Sequence, residues 1–196
     1  MSCYSTVWTR FVVILIGLLV MASCGSRSMV ASGPLLGEVF PTVTGTSLAG
    51  EEVILPEDYE GGPSIYLIGY VQQTQFDIDR WTIGLLQVGP QAKIVEIPTI
   101  PGLVPTLISG WIDDGMRSGI PEEDWPAVVT VYGSDAGLVA NMTGTLKPNN
   151  ARVLLVDGDG VIRWFWDQGF SAARLLDLMT TLKKMQLRQV APCGDM

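Results

Sequence analysis

Ser64-Ile-Tyr-Leu-Ile-Gly-Tyr-Val71 is an apolar run without alternation of polar and apolar positions. Alternation with a period of two marks a strand wetted on one face. An unbroken run closed off by turn residues, here Gly61-Gly62-Pro63, marks a strand covered on both faces. Such a strand belongs to a sheet with parallel neighbours and a helix layer on each side. The sequence downstream supplies those partners. Residues 74–88 predict a helix with Phe76, Ile78, Trp81, Leu85 and Val88 on or near one face, stopped by Gly89-Pro90. Lys93-Ile-Val-Glu-Ile97 predicts a second strand. Residues 103–115 carry apolar positions at 104, 107, 108, 111 and 112, the spacing of a buried helix stripe.

The alternation continues outward in both directions. Ahead of the central run, residues 47–56 predict a hairpin turning near Ala49-Gly50. After it, residues 127–132 predict a strand, followed by a short helix through Leu138, Val139 and Met142 that Ser134 or Asp135 is placed to cap. Residues 152–156 and 161–166 flank Asp157-Gly-Asp-Gly160, a tight turn between antiparallel strands. Trp164, Phe165 and Trp166 alternate across the sheet and read as core on both faces. Ser171 opens a last helix with Leu175, Leu178, Met179, Leu182 and Met185 facing inward. The order predicts one α/β domain with a mixed central sheet.

The N-terminus reads as an address. Arg10 precedes the apolar Phe11-Val-Val-Ile-Leu-Ile-Gly-Leu-Leu-Val20, which runs into Met21-Ala-Ser-Cys24. A bilayer span needs about 20 apolar residues, so this segment is too short to be one and suits a secretory leader. An uncleaved anchor and an ordinary secretory signal with an incidental cysteine are the other readings. Residues 25–33 read as a flexible tether of small and polar residues. Cleavage before Cys24 leaves a chain long enough for one domain with a sizeable core. Losing Arg10 leaves 11 basic against 20 acidic residues. A surface that acidic is a poor match for nucleic acid or anionic lipid. Hydrophobic residues at 47% and charged ones at 16% exclude a disordered chain.

Two resemblances add to this reading. Residues 11–24 resemble the lipobox segment of bacterial lipoproteins, which implies a lipid (palmitate-type) anchor on Cys24. With Gly25 rather than Asp after it, the resemblance implies the outer membrane over the inner, on the periplasmic side. The phrases GEVFP (37–41), TSLAGEEVILPE (46–57), SIYLIGYV (64–71), VYGSDAGLVANMTG (131–144) and RVLLVDGDGVIRWFWDQGFSAARLLDLM (152–179) resemble a thioredoxin-like domain of the peroxiredoxin type. The resemblance covers residues 37–188 and implies a three-layer fold with a mixed central sheet flanked by helices. It divides the chain into a signal peptide (1–23), a lipidated tether (24–36), the domain (37–188) and a flexible tail (189–196). A weaker likeness, through the IRW phrase at 162–164, is to the thioredoxin-like assembly factor of the mitochondrial ATP synthase.

The chemistry of that family needs a thiolate just after the first central strand, where a helix N-terminus lowers its pKa. Here the segment reads Tyr70-Val71-Gln72-Gln73-Thr74-Gln75, with Gln72 and Gln75 where a Cys-x-x-Cys pair would sit. Pro148 stands near, but not at, the position of the family's cis-proline. Cys193, in the C-terminal tail, is the one cysteine after Cys24, and the chain has no histidine. That removes Ser-His-Asp and Cys-His catalysis and imidazole metal sites. The expectation is therefore a non-enzymatic protein without cofactor or metal, anchored to the membrane by its N-terminal lipid. Its partner is an envelope protein or peptide, not nucleic acid. The alternative is a redox-associated enzyme working through Cys193 or through a partner's thiols.

Tyr70, Gln72, Gln73 and Gln75 are the candidate binding residues, since glutamine amides both donate and accept hydrogen bonds. Second in line is an acidic loop, Asp113-Asp114 and Glu122-Glu123-Asp124, bracketed by Trp111 and Trp125. Asp157-Gly-Asp-Gly160 lacks the remaining ligands of a calcium loop and reads as a hairpin turn. Asp77 and Asp79 point to different sides of a helix and do not form an acid/base pair. Asn141-Met-Thr143 is a glycosylation pattern that matters only without the lipid anchor. Replacing Cys24 with Ser is expected to leave an unlipidated, unprocessed precursor. Metabolic lipid labelling and the size of the product check this, and normal maturation of the variant would refute it.

Overall fold

All six residues of the strand Ser64–Gly69 are buried, as the unbroken apolar run requires. A computed structural model describes residues 35–102 and 106–190. Its strands are β1 (Val43–Ser47), β2 (Glu52–Leu55), β3 (Ser64–Gly69), β4 (Lys93–Pro101), β5 (Val129–Tyr132), β6 (Arg152–Val156) and β7 (Ile162–Trp166). Its helices are α1 (Gln75–Val88), α2 (Thr106–Arg117), α3 (Gly133–Thr143) and α4 (Ala172–Val190). Short 3-10 segments lie at Glu57–Tyr59, Gln72–Thr74 and Glu122–Ala127. The strands form one mixed sheet in the order β2-β1-β5-β4-β3-β6-β7. Strands β3, β4 and β5 are parallel, while β1, β2, β6 and β7 join through antiparallel pairings.

Alternation along the central strands makes two cores. Tyr66, Ile68, Val95, Ile97, Val129 and Val131 pack with Ala136 and Val139 of α3. Ile65, Leu67, Val153 and Leu155 point the other way, against Ile78, Trp81 and Leu85 of α1 and Leu175, Leu178 and Leu182 of α4. Each such side chain contributes about 1.5–3 kcal/mol by leaving water. Trp81 stands edge-on to Trp164 and Phe170, with ring centroids 6.1 and 5.3 Å apart, and its buried indole N–H has no hydrogen-bond partner. Gly84 lets α1 and α4 touch: a Cβ there would meet Leu175 at 2.9 Å.

Helix α2 lies on the same face as α1 and α4. Since Val129 and Val131 serve the α3 core, Tyr132 points to the opposite side. There its hydroxyl donates to Asp113 Oδ1 at 2.8 Å, with the Ser109 carbonyl 3.3 Å away. Of the expected buried stripe, Ile112 is half-buried and Trp111 departs from it, while position 104 and the side chains of 107 and 108 lie outside what the structure describes. Trp111 is 78% exposed. Phe76 and Val88 of α1 are likewise exposed, so its core contact is confined to residues 77–85.

Other expectations are shifted locally. Neither Ser134 nor Asp135 caps α3; Tyr132 is its N-cap residue, and Asp135 reaches across to accept from Thr44 N at 2.8 Å. Leu35, the first of the described residues, is buried in the α3-side core. The cis peptide bond among the described residues precedes Pro56, not Pro148. The Asp157-Gly160 turn is as read. Asp157 Oδ1 accepts from the N–H groups of Asp159 and Val161, and Oδ2 binds Arg163 Nε at 2.6 Å.

Two buried charges fasten the loop between α3 and β6. Asp77 Oδ2 accepts from Ala151 N at 2.9 Å, and Oδ1 from Phe170 N at 2.7 Å. Arg152, 1% exposed, donates to the carbonyls of Gly144, Lys147 and Asn150 at 2.9, 2.7 and 2.7 Å. Its guanidinium lies 5.2 Å from the centre of the Tyr70 ring. Orphaning a buried donor costs about 1–3 kcal/mol. Asp77→Ala orphans two, and is expected to lose about 2–4 kcal/mol of unfolding free energy in urea titration. Asp77→Asn keeps one acceptor oxygen and should fall between wild type and alanine.

Candidate functional site

The segment between β3 and α1 is held from below by a threonine. Thr74 is fully buried; its hydroxyl accepts from Val71 N at 3.3 Å and donates to the Pro148 carbonyl at 2.6 Å. This anchors the short Gln72–Thr74 helix to the loop that Arg152 and Asp77 organise. Gln72 and Gln73 consequently project outward and are exposed. Gln75, also exposed, donates from Nε2 to Asp79 Oδ1 at 3.0 Å.

Tyr70 is separated from the glutamines. Continuing the alternation of Tyr66 and Ile68, it packs against the α3-side core. Its hydroxyl shares a 2.7 Å hydrogen bond with Thr143 Oγ1, a hydroxyl that also donates to the Val139 carbonyl. Burial pushes the Tyr70 phenol up to about 12, against the opposing effects of the Thr143 hydrogen bond and the Arg152 charge. The structure therefore brings Gln72, Gln73 and Gln75 together at one exposed helix start and places Tyr70 behind it as a structural residue. Thr143 of the glycosylation pattern is buried in the same contact.

Beside Gln75 lies a residue that the sequence reading passed over. Glu96 pairs in register with Leu67, and because Val95 and Ile97 serve the α3 core, its carboxyl points under α1. Desolvation by burial raises that carboxyl to about 7, a hydrogen bond from Gln75 opposes the rise, and the negative charge of Asp79 adds to it. Gln75 is thus the hinge of a polar cluster with Asp79 and Glu96. The available signal was a carboxylate in the middle of an otherwise apolar strand, Lys93-Ile-Val-Glu-Ile97, where a charge is costly to bury.

The acidic loop does not converge on one point. Asp113 is taken by Tyr132, and Asp114 pairs with Arg117 at 2.8 Å. The Trp125 indole donates to its own segment, at the Ile120 carbonyl, with Arg117 over its ring at 5.9 Å. Trp111, Glu122, Glu123 and Asp124 remain exposed. Among the described residues no group of three His, Cys, Asp or Glu side chains is arranged to hold a metal. None of the described helices is long and apolar enough to cross a membrane. Cys24, the signal segment and Cys193 lie outside the described residues.

No protein-family model and no curated sequence matches this chain. Solved structures do. A thiol peroxidase from Chromobacterium violaceum is 13% identical, with a TM-score of 0.54 over 80% of this chain and 92% of that one. A SCO1/SenC family lipoprotein from Bacillus anthracis is 11% identical, with a TM-score of 0.54 over 80% and 99%. BsSco, of the Sco family of cytochrome c oxidase assembly proteins, is 11% identical, with a TM-score of 0.53 over the same shares. The fold is thioredoxin-like. At these identities the likeness is one of architecture. Residues 70–75, running from β3 into α1, contain no sulfur.

The Glu96 carboxyl gives the domain a pH dependence of defined sign. Its folded pKa, about 7, lies above the ordinary carboxylate value of 4.5. The stabilisation belongs to the protonated form: it is complete below about 4.5 and is lost as pH rises through about 7. Glu96→Gln is expected to flatten unfolding free energy between pH 5 and 8. At the alkaline end it should stabilise by about 2 kcal/mol. Urea titrations at both ends check this, and an unchanged slope would refute it.

Proposed function

We propose that this chain is a membrane-anchored thioredoxin-like protein of the bacterial envelope that binds or assembles a partner and performs no thiol chemistry of its own. One observation carries the reading. Where a thioredoxin-like protein places its nucleophile, this one presents three glutamine amides over a buried threonine hydroxyl already spent on Pro148. An exposed amide cluster at a helix start recognises polar groups and has no route to reduce or oxidise them. The N-terminal Cys24 supplies the anchor, on the periplasmic side and at the outer membrane. Two architectural neighbours are in keeping with this: one is called a lipoprotein, and the other belongs to a family of assembly proteins. The partner is an envelope protein or peptide that offers hydrogen-bonding groups to Gln72, Gln73 and Gln75.

The full chain in mild detergent is expected neither to reduce an insulin disulfide nor to consume peroxide above a protein-free control. Turnover abolished by Cys193→Ser would establish the redox enzyme instead. The double variant Gln72→Ala, Gln75→Ala should stay folded, with a loss of about 1 kcal/mol or less, as two exposed substitutions allow. In affinity capture from the native membrane it should recover several-fold less of the wild-type partner. Undiminished recovery by a folded double variant would move the binding site away from residues 72–75.

A further inference from the structure

Gln75, Asp79 and Glu96 stand together at the start of α1. Gln75 and Asp79 are one turn apart on the same flank of the helix, and Gln75 Nε2 donates to Asp79 Oδ1 at 3.0 Å. Glu96 comes from beneath. It alternates with Val95 and Ile97 of the α3-side core, so it shares the opposite face of β4 with Ile94, under α1. Its half-buried carboxyl takes a second hydrogen bond from the Gln75 amide. A primary amide carries two hydrogens on nitrogen and two lone pairs on oxygen. Both hydrogens of Gln75 have a carboxylate to go to, and turning the amide over would set Oε1 against two negative oxygens. Oε1 is therefore the end that this exposed side chain offers outward.

We infer that Asp79 and Glu96 are positioning residues that make Gln75 a hydrogen-bond acceptor, so that the partner group seated at Gln75 is a hydrogen-bond donor. The inference rests on residues 72–75 as the binding segment and says what that segment selects. Two carboxylates behind the amide also favour a donor that carries positive charge, as a lysine or arginine side chain does. The selection depends on an ionised Glu96. A neutral carboxyl holds the amide less firmly and adds a hydroxyl that Oε1 can accept, so protonation frees the amide to turn. Burial raises the Glu96 carboxyl to about 7, which puts that change in the neutral range. The charges on the surrounding elements leave its sign unaltered. Ile65 and Leu67 of β3 carry none, nor do Val128 and Thr130 of β5. Lys93 stands on the other face of β4, over the Tyr59 ring at 4.9 Å. Arg80 lies on the exposed side of α1. On α2, Asp113 is held by Tyr132 and Asp114 by Arg117. Glu122, Glu123 and Asp124 of the following 3-10 segment are exposed and negative, like Asp79.

The test follows the side-chain amide resonances of Gln75 by nuclear magnetic resonance, in the full chain in mild nonionic detergent. The expected result is a titration with its midpoint near 7. It should be absent from Glu96→Gln. In Asp79→Asn it should move to lower pH, because the like charge that helps to raise Glu96 is gone. Three probes then stand in for the partner at matched ionic strength: methylguanidinium as a cationic donor, tetramethylammonium as a cation without N–H groups, and acetate as an acceptor. At about pH 8, methylguanidinium should move the Gln75 signals while the other two do not, and its effect should fall several-fold at about pH 5.5. Gln75 signals indifferent to pH overturn the inference, as does a response to acetate equal to that to methylguanidinium. An equal response to tetramethylammonium reduces the site to unselective attraction of cations and overturns it too, and so does silence towards all three probes. If Glu96→Gln does not fold, Asp79→Asn, an exposed substitution, carries the titration arm by itself. None of these measurements involves the native partner, so their failure is distinct from a failure of the Gln72→Ala, Gln75→Ala capture.

Discussion

Among the described residues, no cation pairs with the carboxylate of Asp77. It is held by two backbone N–H groups from either side of the β6–β7 hairpin, at Ala151 and Phe170. That arrangement makes one side chain of α1 the meeting point of the loop into β6 and the loop into α4. The other two attachments of the region, Arg152 to three carbonyls and Thr74 to Pro148, depend on the loop staying where Asp77 puts it. A buried ion solvated by peptide dipoles tolerates little displacement, because each donor it loses is orphaned in turn. The geometry of the segment after β3 is therefore inherited from residues more than seventy positions away.

This explains which parts of the fold were legible in the sequence. The unbroken run at 64–69, the periodic Leu175, Leu178 and Leu182, and the Asp157-Gly160 turn are local signals, and each became the expected element. Helix α2 was located, but Trp111, expected on its buried stripe, stands exposed, and the contact of Asp113 with Tyr132 was not foreseen. Asp135 was read as a cap because caps are local; its actual partner, Thr44, lies on a strand ninety-one positions earlier. The site divides along the same line. The missing thiols are a fact of the sequence alone. The removal of Tyr70 from the glutamines, and the arrival of Glu96 beside Gln75, are tertiary and follow from strand parity and register.

A thioredoxin-like sheet is a device for holding a helix start at a fixed point in space. In this chain the buried Thr74 fixes that point, and exposed glutamine amides stand around it. The scaffold's precision is then available for recognition, where a rigid presentation lowers the entropy lost on binding.

Two tryptophans of this domain stand at optical extremes. Trp81, buried and locked edge-on between Trp164 and Phe170, has the rigid apolar surroundings that give emission at short wavelength and intense near-ultraviolet dichroism. Trp111, outside on α2, sits in water and emits further to the red. Unfolding of the core and coverage of the surface thus register at different wavelengths in one intrinsic spectrum. An unlabelled chain can report on its interior and on its outer face at the same time.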